Sequence, residues 1–435
     1  MKFNRSLEEF RDSVLLFGIL TFSLPLKTPA IQSFLESILQ ISFPIQLSTY
    51  TLFLPFWLGI SVLFHLRRIP EVWNQVKTPL LLMALLFVWM WLGAWFSEWR
   101  DHSLKHAGRY AIHLVVFLTL LLLVRLKNIT LMTAVLLVWF IIISSLTIAE
   151  LFFDDWRLQT LLKSLGFRLD LYHPPWWDRL SSLFENPNPY GIISAALLGI
   201  GLFLFLQKHL ILGIMGGFAS IWGVVQSGSR NPVFTLFICI FCMLLIFSRK
   251  LKWNQLQKYP YQITLISVLL LLSLGTLFFF ETPLVNRLNP VIRDLGKINS
   301  ITEILELDKL RSELYISVID YLINNQNLLG TGPKTFELLD DFSHLSHLQR
   351  YHAHNAWLTI WVEMGWVGLS LAFGFIASWF WKFRRASLCL WFSVLVLCIG
   401  QMLDYFIWQI TFMTVQSLIF VLMAASSNYG SSKEP

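Results

Sequence analysis

Apolar residues gather along most of the chain in runs of about twenty, separated by short polar links, which is the length a helix needs to cross a bilayer core ~30 Å thick. Allowing a few residues at each end, the runs are 12–27, 48–66, 79–96, 108–125, 129–151, 189–206, 209–227, 231–247, 261–281, 357–380, 387–403 and 405–425. They predict an all-α polytopic membrane protein of about 12 transmembrane helices in a single membrane domain over 1–435. Two connecting segments are too long and polar to be simple links: 152–188 and 282–355. Within the second, Ile304, Leu307, Leu310, Leu314, Val318 and Tyr321 recur at three-and-four spacing, which predicts an amphipathic helix between 301 and 325 lying along the membrane surface. The first holds Trp156, Pro174, Pro175, Trp176 and Trp177, an aromatic, turn-rich stretch suited to the interface.

Charge fixes the expected orientation. Arg67, Arg68, Lys77, Arg125, Lys127, Lys208, Arg249, Lys250, Lys252, Lys258, Lys382, Arg384 and Arg385 fall in links after even-numbered spans, and short cytoplasmic loops collect such residues. Both termini are therefore expected in the cytoplasm, and 97–107, 152–188 and 282–355 on the outer face, in the periplasm or its equivalent. The formal charge of +7 is spread over these links with no basic block, so it encodes orientation rather than nucleic-acid binding. A chain 56% apolar and 14% charged lies outside the range of soluble domains. Its 19 Trp and 37 Phe suit lipid contact and interfacial belts. Cys239, Cys242, Cys389 and Cys398 all sit in apolar runs and read as small buried residues. The first run follows Arg5 and Arg11 as a signal peptide would, but no small-residue cleavage site follows, and it is read as the first span.

Three outward patches carry candidate chemistry. In RLSSLFENPNPYG, Arg179 to Gly191, the Asn186-Pro187-Asn188-Pro189 break starts the sixth span and serves equally as a helix cap or as a substrate contact. In QSGSRNP, Gln226 to Pro232, Arg230 stands at a helix start, where the dipole opposes a cation. Free backbone N–H groups beside a guanidinium make an anion site suited to phosphate; the other reading is an arginine snorkelling to lipid headgroups. In the large loop, Arg311 adjoins the apolar stripe at Leu310 and either points inward over the bilayer or is a solvated charge; LLGTGPKTF then turns through Gly330, Gly332 and Pro333 into Lys334. The acidic pair Asp340-Asp341 reads as solvated surface.

The loop ends in YHAHNAWLTIWVEMGWVG, Tyr351 to Gly368, where His352, His354 and Asn355 meet the tenth span. At about 100° per residue, His354, Leu358, Trp361, Gly365 and Gly368 share one helix face, with the glycines beneath the histidine and open to a neighbouring helix. Glu363 falls on the opposite face, which excludes a His–carboxylate relay within an unkinked helix. A histidine there is an interfacial residue or a catalyst.

These residues resemble the O-antigen ligase family, membrane enzymes that include O-antigen ligases, related polymerases and oligosaccharyltransferases. The family's histidine motif is matched by His354, Asn355, nine residues, Gly365, two residues and Gly368. Ser229-Arg230, Arg311, the Arg179 to Asn186-Pro187-Asn188 segment and the Gly330, Gly332, Phe336 turn match its other motifs, and the likeness covers about 175–380. The glycine usual ahead of the NPN phenylalanine is here Leu183. The resemblance implies a GT-C-like membrane fold with a large helical extracytoplasmic loop. It implies transfer of a glycan from an undecaprenyl-diphosphate carrier to a lipid or glycan acceptor hydroxyl on the outer face, with inversion and without metal or cofactor. His354 would act on the acceptor, Arg230 and Arg311 on the diphosphate, with Asn355, Arg179, Asn186, Asn188, Lys334 and His352 as further contacts. Polymerisation onto another lipid-linked repeat is the alternative within the family, and transport of inorganic carbon the alternative outside it; the spans carry few charges, with His113 and Glu363 the main exceptions. Membrane lipid is an expected partner and nucleic acid is not.

Overall fold

A computed structural model of the protein describes residues 2–24, 26–27, 32–33, 36–37, 53–152, 168–169, 186–250, 309–325, 328–339, 353–404 and 409–431. Among the described residues the fold is all-helical apart from one two-residue antiparallel ladder, Leu26 opposite Leu169 and Lys27 opposite Arg168, which ties the chain after the first helix to the 152–188 segment. The helices are α1 (Lys2–Phe22), α2 (Leu54–His65), α3 (Ile69–Phe96), α4 (Arg100–Leu123), α5 (Ile129–Phe152), α6 (Pro187–Leu206), α7 (Leu210–Gln226), α8 (Arg230–Lys250), α9 (Lys309–Asn325), α10 (Ala356–Lys382), α11 (Leu388–Leu403) and α12 (Ile410–Ser431).

Five helical stretches among the described residues are long and apolar enough to cross a membrane: Leu54–Phe96, Arg100–Leu123, Pro187–Leu206, Ala356–Lys382 and Ile410–Ser427. Other apolar helices, including α7 and α11, are shorter. The expected span 261–281 lies outside the described residues. Helical structure also runs past the apolar runs. The expected link holding Arg67, Arg68 and Lys77 is a 3-10 turn, Leu66–Arg68, followed directly by α3. That helix bends at Val76 (φ −130°, ψ 18°), three residues before Pro79, whose missing N–H and ring disturb the preceding turn. Most of the expected 97–107 loop is the first turns of α4, started by Asp101 at the positive end of the helix dipole. Apolar length measures the part of a helix suited to lipid, while backbone hydrogen bonding carries it onward.

The core forms around α6. Of its most apolar window 78% is buried, against 28% in Leu54–Phe96, so α6 is the inner helix and α2–α3 keep a broad apolar surface. Small residues on α6, including Ser194, Ala195, Ala196 and Gly199, let α7 and α11 approach closely. α10 lies against α3, and α12 against α4. A separate small core joins Leu314, Val318 and Leu322 of α9 to Phe336, Leu339, Ala353 and Val362. The stripe read as facing a membrane surface, where the structure describes it, is thus covered by the protein's own loop and α10.

The helix drawn from His354 to Gly368 is interrupted twice. α10 starts only at Ala356, capped by Asn355, and Gly365 breaks it with φ +65° and ψ −170°. The space at Gly365 is taken by the loop ahead of it rather than by a neighbouring helix. A Cβ there would run into the carbonyl of Leu328, and one on Gly330 (φ +79°) would run into the backbone of Glu363. Carbonyls turned out of the helix by the break find other donors: Thr331 N donates to Val362 O at 3.0 Å, Gly332 N to Glu363 O at 2.9 Å and Trp89 Nε1 to Met364 O at 2.9 Å. Lipid offers no such donors, so the loop and α3 make the break tolerable.

Candidate functional site

The chain ends of α6, α8, α10 and α11 meet around one carboxylate. Asp404 closes α11, its backbone N–H bonded to Gly400 O at 3.1 Å, and its side chain is buried. Oδ2 accepts from Asn188 Nδ2 at 2.7 Å and, at the edge of reach, from Asn231 Nδ2 at 3.5 Å. Oδ1 lies 3.2 Å from His354 Nδ1. An ionised carboxylate only accepts, so Nδ1 carries the proton and Nε2 is left as the basic nitrogen. The imidazole is 26% exposed and the carboxylate 4%, so the ring reaches outward from a dry anchor.

The local sequence explains why His354 can stand there. It sits outside the helix at φ +48°, a left-handed conformation that histidine adopts more readily than most residues. Asn355 takes the N-cap, its Oδ1 accepting from Trp357 N at 2.9 Å and Leu358 N at 3.1 Å, while Nδ2 donates to Met402 O at 2.8 Å. Ala353 N donates to Thr359 Oγ1 at 3.3 Å, and Tyr315 Oη to His354 O at 3.0 Å. Bonds on both sides of the strained residue fix its backbone.

Asn186 caps α6, its Oδ1 accepting from Asn188 N at 2.8 Å, and is exposed; Asn188 is the member of the pair that joins the carboxylate. Arg230 opens α8, half-buried, directly before Asn231. Arg311 stands in the first turn of α9, and Tyr315, one turn on, is the residue bonded to His354. The elements bearing Arg230, Arg311, Asn188 and His354 are therefore joined through Asp404 and the His354 backbone. Asn355 spends its amide on backbone groups rather than on the imidazole. Lys334 (φ +61°) pairs with Glu337 Oε2 at 3.2 Å, and its carbonyl lies 3.0 Å from His102 Nε2, which ties the turn to α4. Arg179, His352 and the Asp340-Asp341 pair lie outside the described residues.

Residues 215–373 match the O-antigen ligase family. A comparison with curated proteins finds no match. The family match supports a membrane enzyme of the O-antigen ligase and polymerase kind, whose members are glycosyltransferase-like, and implies lipid-linked glycan substrates. The matched O-antigen ligase stretch contains Arg230, Arg311, Lys334, His354 and Asn355, while Asn188 and Asp404 lie on either side of it.

Asp404, Asn231 and Tyr315 were not among the residues singled out from the sequence. For Asp404 a signal existed. Spans 387–403 and 405–425 leave a link of one residue between them, and that residue is acidic. A carboxylate placed where the chain turns between two apolar helices has to find donors from other elements.

Basic residues of the short links collect at the other end of the bundle. Arg68 donates to the carbonyl oxygens of Leu122 and Val124, and Glu8 pairs with Arg125 at 3.4 Å and Lys127 at 3.2 Å. Lys127 and Arg125 hold the exposed Glu8 carboxyl below its usual pKa, the Lys127 hydrogen bond contributing most.

Proposed function

We propose that this protein moves a glycan from an undecaprenyl-diphosphate carrier to an acceptor hydroxyl at the outer face of a bacterial inner membrane, with both termini in the cytoplasm. The supporting observation is the His354–Asp404 pair, set where the helices bearing Arg230 and Arg311 converge. The gathering of Arg68, Arg125 and Lys127 at the opposite end agrees with that orientation.

In the proposed reaction His354 Nε2 takes the proton of the acceptor hydroxyl as its oxygen attacks the anomeric carbon. The bond from that carbon to the diphosphate oxygen breaks, and its electron pair leaves with the diphosphate. Single displacement inverts the anomeric centre. Asp404 holds the ring in the required tautomer and stabilises the imidazolium that forms. Arg230, beside the backbone N–H groups at the start of α8, and Arg311, on the first turn of α9, bind the diphosphate as charge grows on it, by charge-assisted hydrogen bonds that need no metal. Asn188 keeps Asp404 in place. Arg179, Asn186, Lys334 and His352 are secondary contacts for glycan or phosphate.

The acceptor separates the two readings within the family. A deletion strain that loses long chains from its surface acceptor while lipid-linked polymer accumulates carries a ligase defect, and one left with single-repeat caps carries a polymerase defect. We favour the ligase. Uptake of a solute dependent on the protein, with glycans unchanged, would replace both with a transporter.

A further inference from the structure

We propose that Tyr315 is a positioning residue for the transfer reaction: its hydroxyl holds His354 in the left-handed backbone conformation that turns the imidazole onto Asp404, so the helix that offers Arg311 to the diphosphate also sets the base. The inference deepens the glycosyl-transfer reading above and rests on it.

An imidazole is only as well placed as the backbone that carries it. His354 stands ahead of α10 at φ +48°, beyond the reach of the helix's own hydrogen-bond ladder. A side chain in that sparsely populated region stays there only where the surroundings over-determine it. On the chain's upstream side Ala353 N donates to Thr359 Oγ1 at 3.3 Å, and Thr359 Oγ1 donates to Asn355 O at 2.9 Å, so this restraint closes within the first turn of α10. On the downstream side the His354 carbonyl accepts from Tyr315 Oη at 3.0 Å, a bond that reaches across 39 residues from another element. It engages the backbone and not the ring.

The helix that delivers the hydroxyl is anchored beside the histidine. Leu314, Val318 and Leu322 of α9 are buried and pack in one cluster with Ala353, the residue before His354, and with Val362 of α10. Arg311 stands four residues before Tyr315, one turn or about 6 Å nearer the start of α9 and on the same face. A diphosphate held by Arg311 therefore steadies the helix whose next turn steadies His354. Without the hydroxyl, the strain at φ +48° favours other backbone conformations, and these carry the ring away from Oδ1 of Asp404, now 3.2 Å from Nδ1.

The test uses the full chain in lipid nanodiscs, with lipid-diphosphate glycan as donor, its binding stoichiometry measured without acceptor, and histidine isotope-labelled for NMR. Tyr315→Phe removes the hydroxyl and keeps the ring. Turnover per donor-binding site should fall by about tenfold, the upper range for one neutral hydrogen bond, with donor KM within about twofold of the parent. A ring N–H held by a carboxylate gives a low-field proton signal, assigned to His354 by its absence from His354→Gln. That signal should weaken in Tyr315→Phe as in Asp404→Asn, whereas a smaller folded fraction leaves it unchanged in the molecules that remain. Tyr315→Leu should behave as Tyr315→Phe does, since neither offers a donor. Parental turnover and signal in Tyr315→Phe would overturn the inference. So would a parental Tyr315→Phe beside an impaired Tyr315→Leu, which makes the ring a packing residue, or lost turnover with the His354 signal intact, which puts the work of the hydroxyl elsewhere. Failure of Tyr315→Phe to insert would overturn it too, by making the bond a folding contact. His354→Ala run alongside separates the two proposals: full activity there removes the transfer reading itself, while the NMR comparison, which needs no turnover, still decides whether Tyr315 sets the ring.

Discussion

Asp404 and His354 stand 50 residues apart in the chain and 3.2 Å apart in the fold, the first buried at the end of one helix and the second strained just ahead of another. The carboxylate selects which imidazole nitrogen carries the proton, and that makes it the most informative residue to change. Asp404→Asn preserves size but offers an amide where the ring needs a full acceptor. Transfer should fall by about 100-fold, the upper range for residues that orient a ligand or base, with membrane insertion intact. Turnover of the purified variant checks this.

The two asparagines of the α6 start should behave differently. Asn186→Ala removes an exposed cap and should lower stability by about 1 kcal/mol, read as a lower Tm. Asn188→Ala removes the 2.7 Å bond to Asp404 Oδ2, and its larger effect should be on kcat. If Asn188→Ala changes Tm alone, Asn188 is structural only.

Gly365→Ala should be far more damaging than an ordinary glycine replacement in a helix. The added Cβ meets Leu328 O and forces a residue at φ +65° out of its preferred regions, a backbone penalty of roughly 1–3 kcal/mol before the clash is counted. Thermal unfolding in detergent should show a loss of at least that size. Gly374→Ala, whose Cβ would sit 3.8 Å from Leu82 in ordinary contact, should change little.

Arg230 tests the diphosphate role. Arg230→Lys keeps the charge but loses the planar fork, so donor affinity should fall with partial retention of activity, and Arg230→Ala should abolish transfer. Donor titrations distinguish the two. Equal activity in parent, Lys and Ala variants would make Arg230 a surface cation.

Much of the helical layout was legible because the bilayer imposes a length. The run 387–403 became Leu388–Leu403, and 189–206 became Pro187–Leu206, its two added residues being the Pro187-Asn188 pair after the cap. Asn186, Asn188, Asn355 and His354 were visible as polar residues where apolar runs begin. Contacts between distant segments were not visible. The pairing of Asp404 with His354 depends on which helix ends meet, and a single acidic residue between two spans does not announce its donors. The Gly365 break was hidden for a related reason. Apolar residues continue through it, so periodicity predicts an unbroken helix, and the glycine's nearest neighbour is the Leu328 carbonyl, 37 positions earlier in the numbering. The polar starts of α4 and the 3-10 turn before α3 were read as loops because charge was taken to end a helix, whereas only backbone geometry does.

The most direct measurement is transfer by the purified protein in proteoliposomes, given undecaprenyl-diphosphate-linked glycan and an acceptor, with chelator present and ATP absent. The account predicts glycosylated acceptor and released carrier diphosphate from the parent, and neither from His354→Ala. No transfer by the parent with either class of acceptor, or undiminished transfer by His354→Ala, would contradict it.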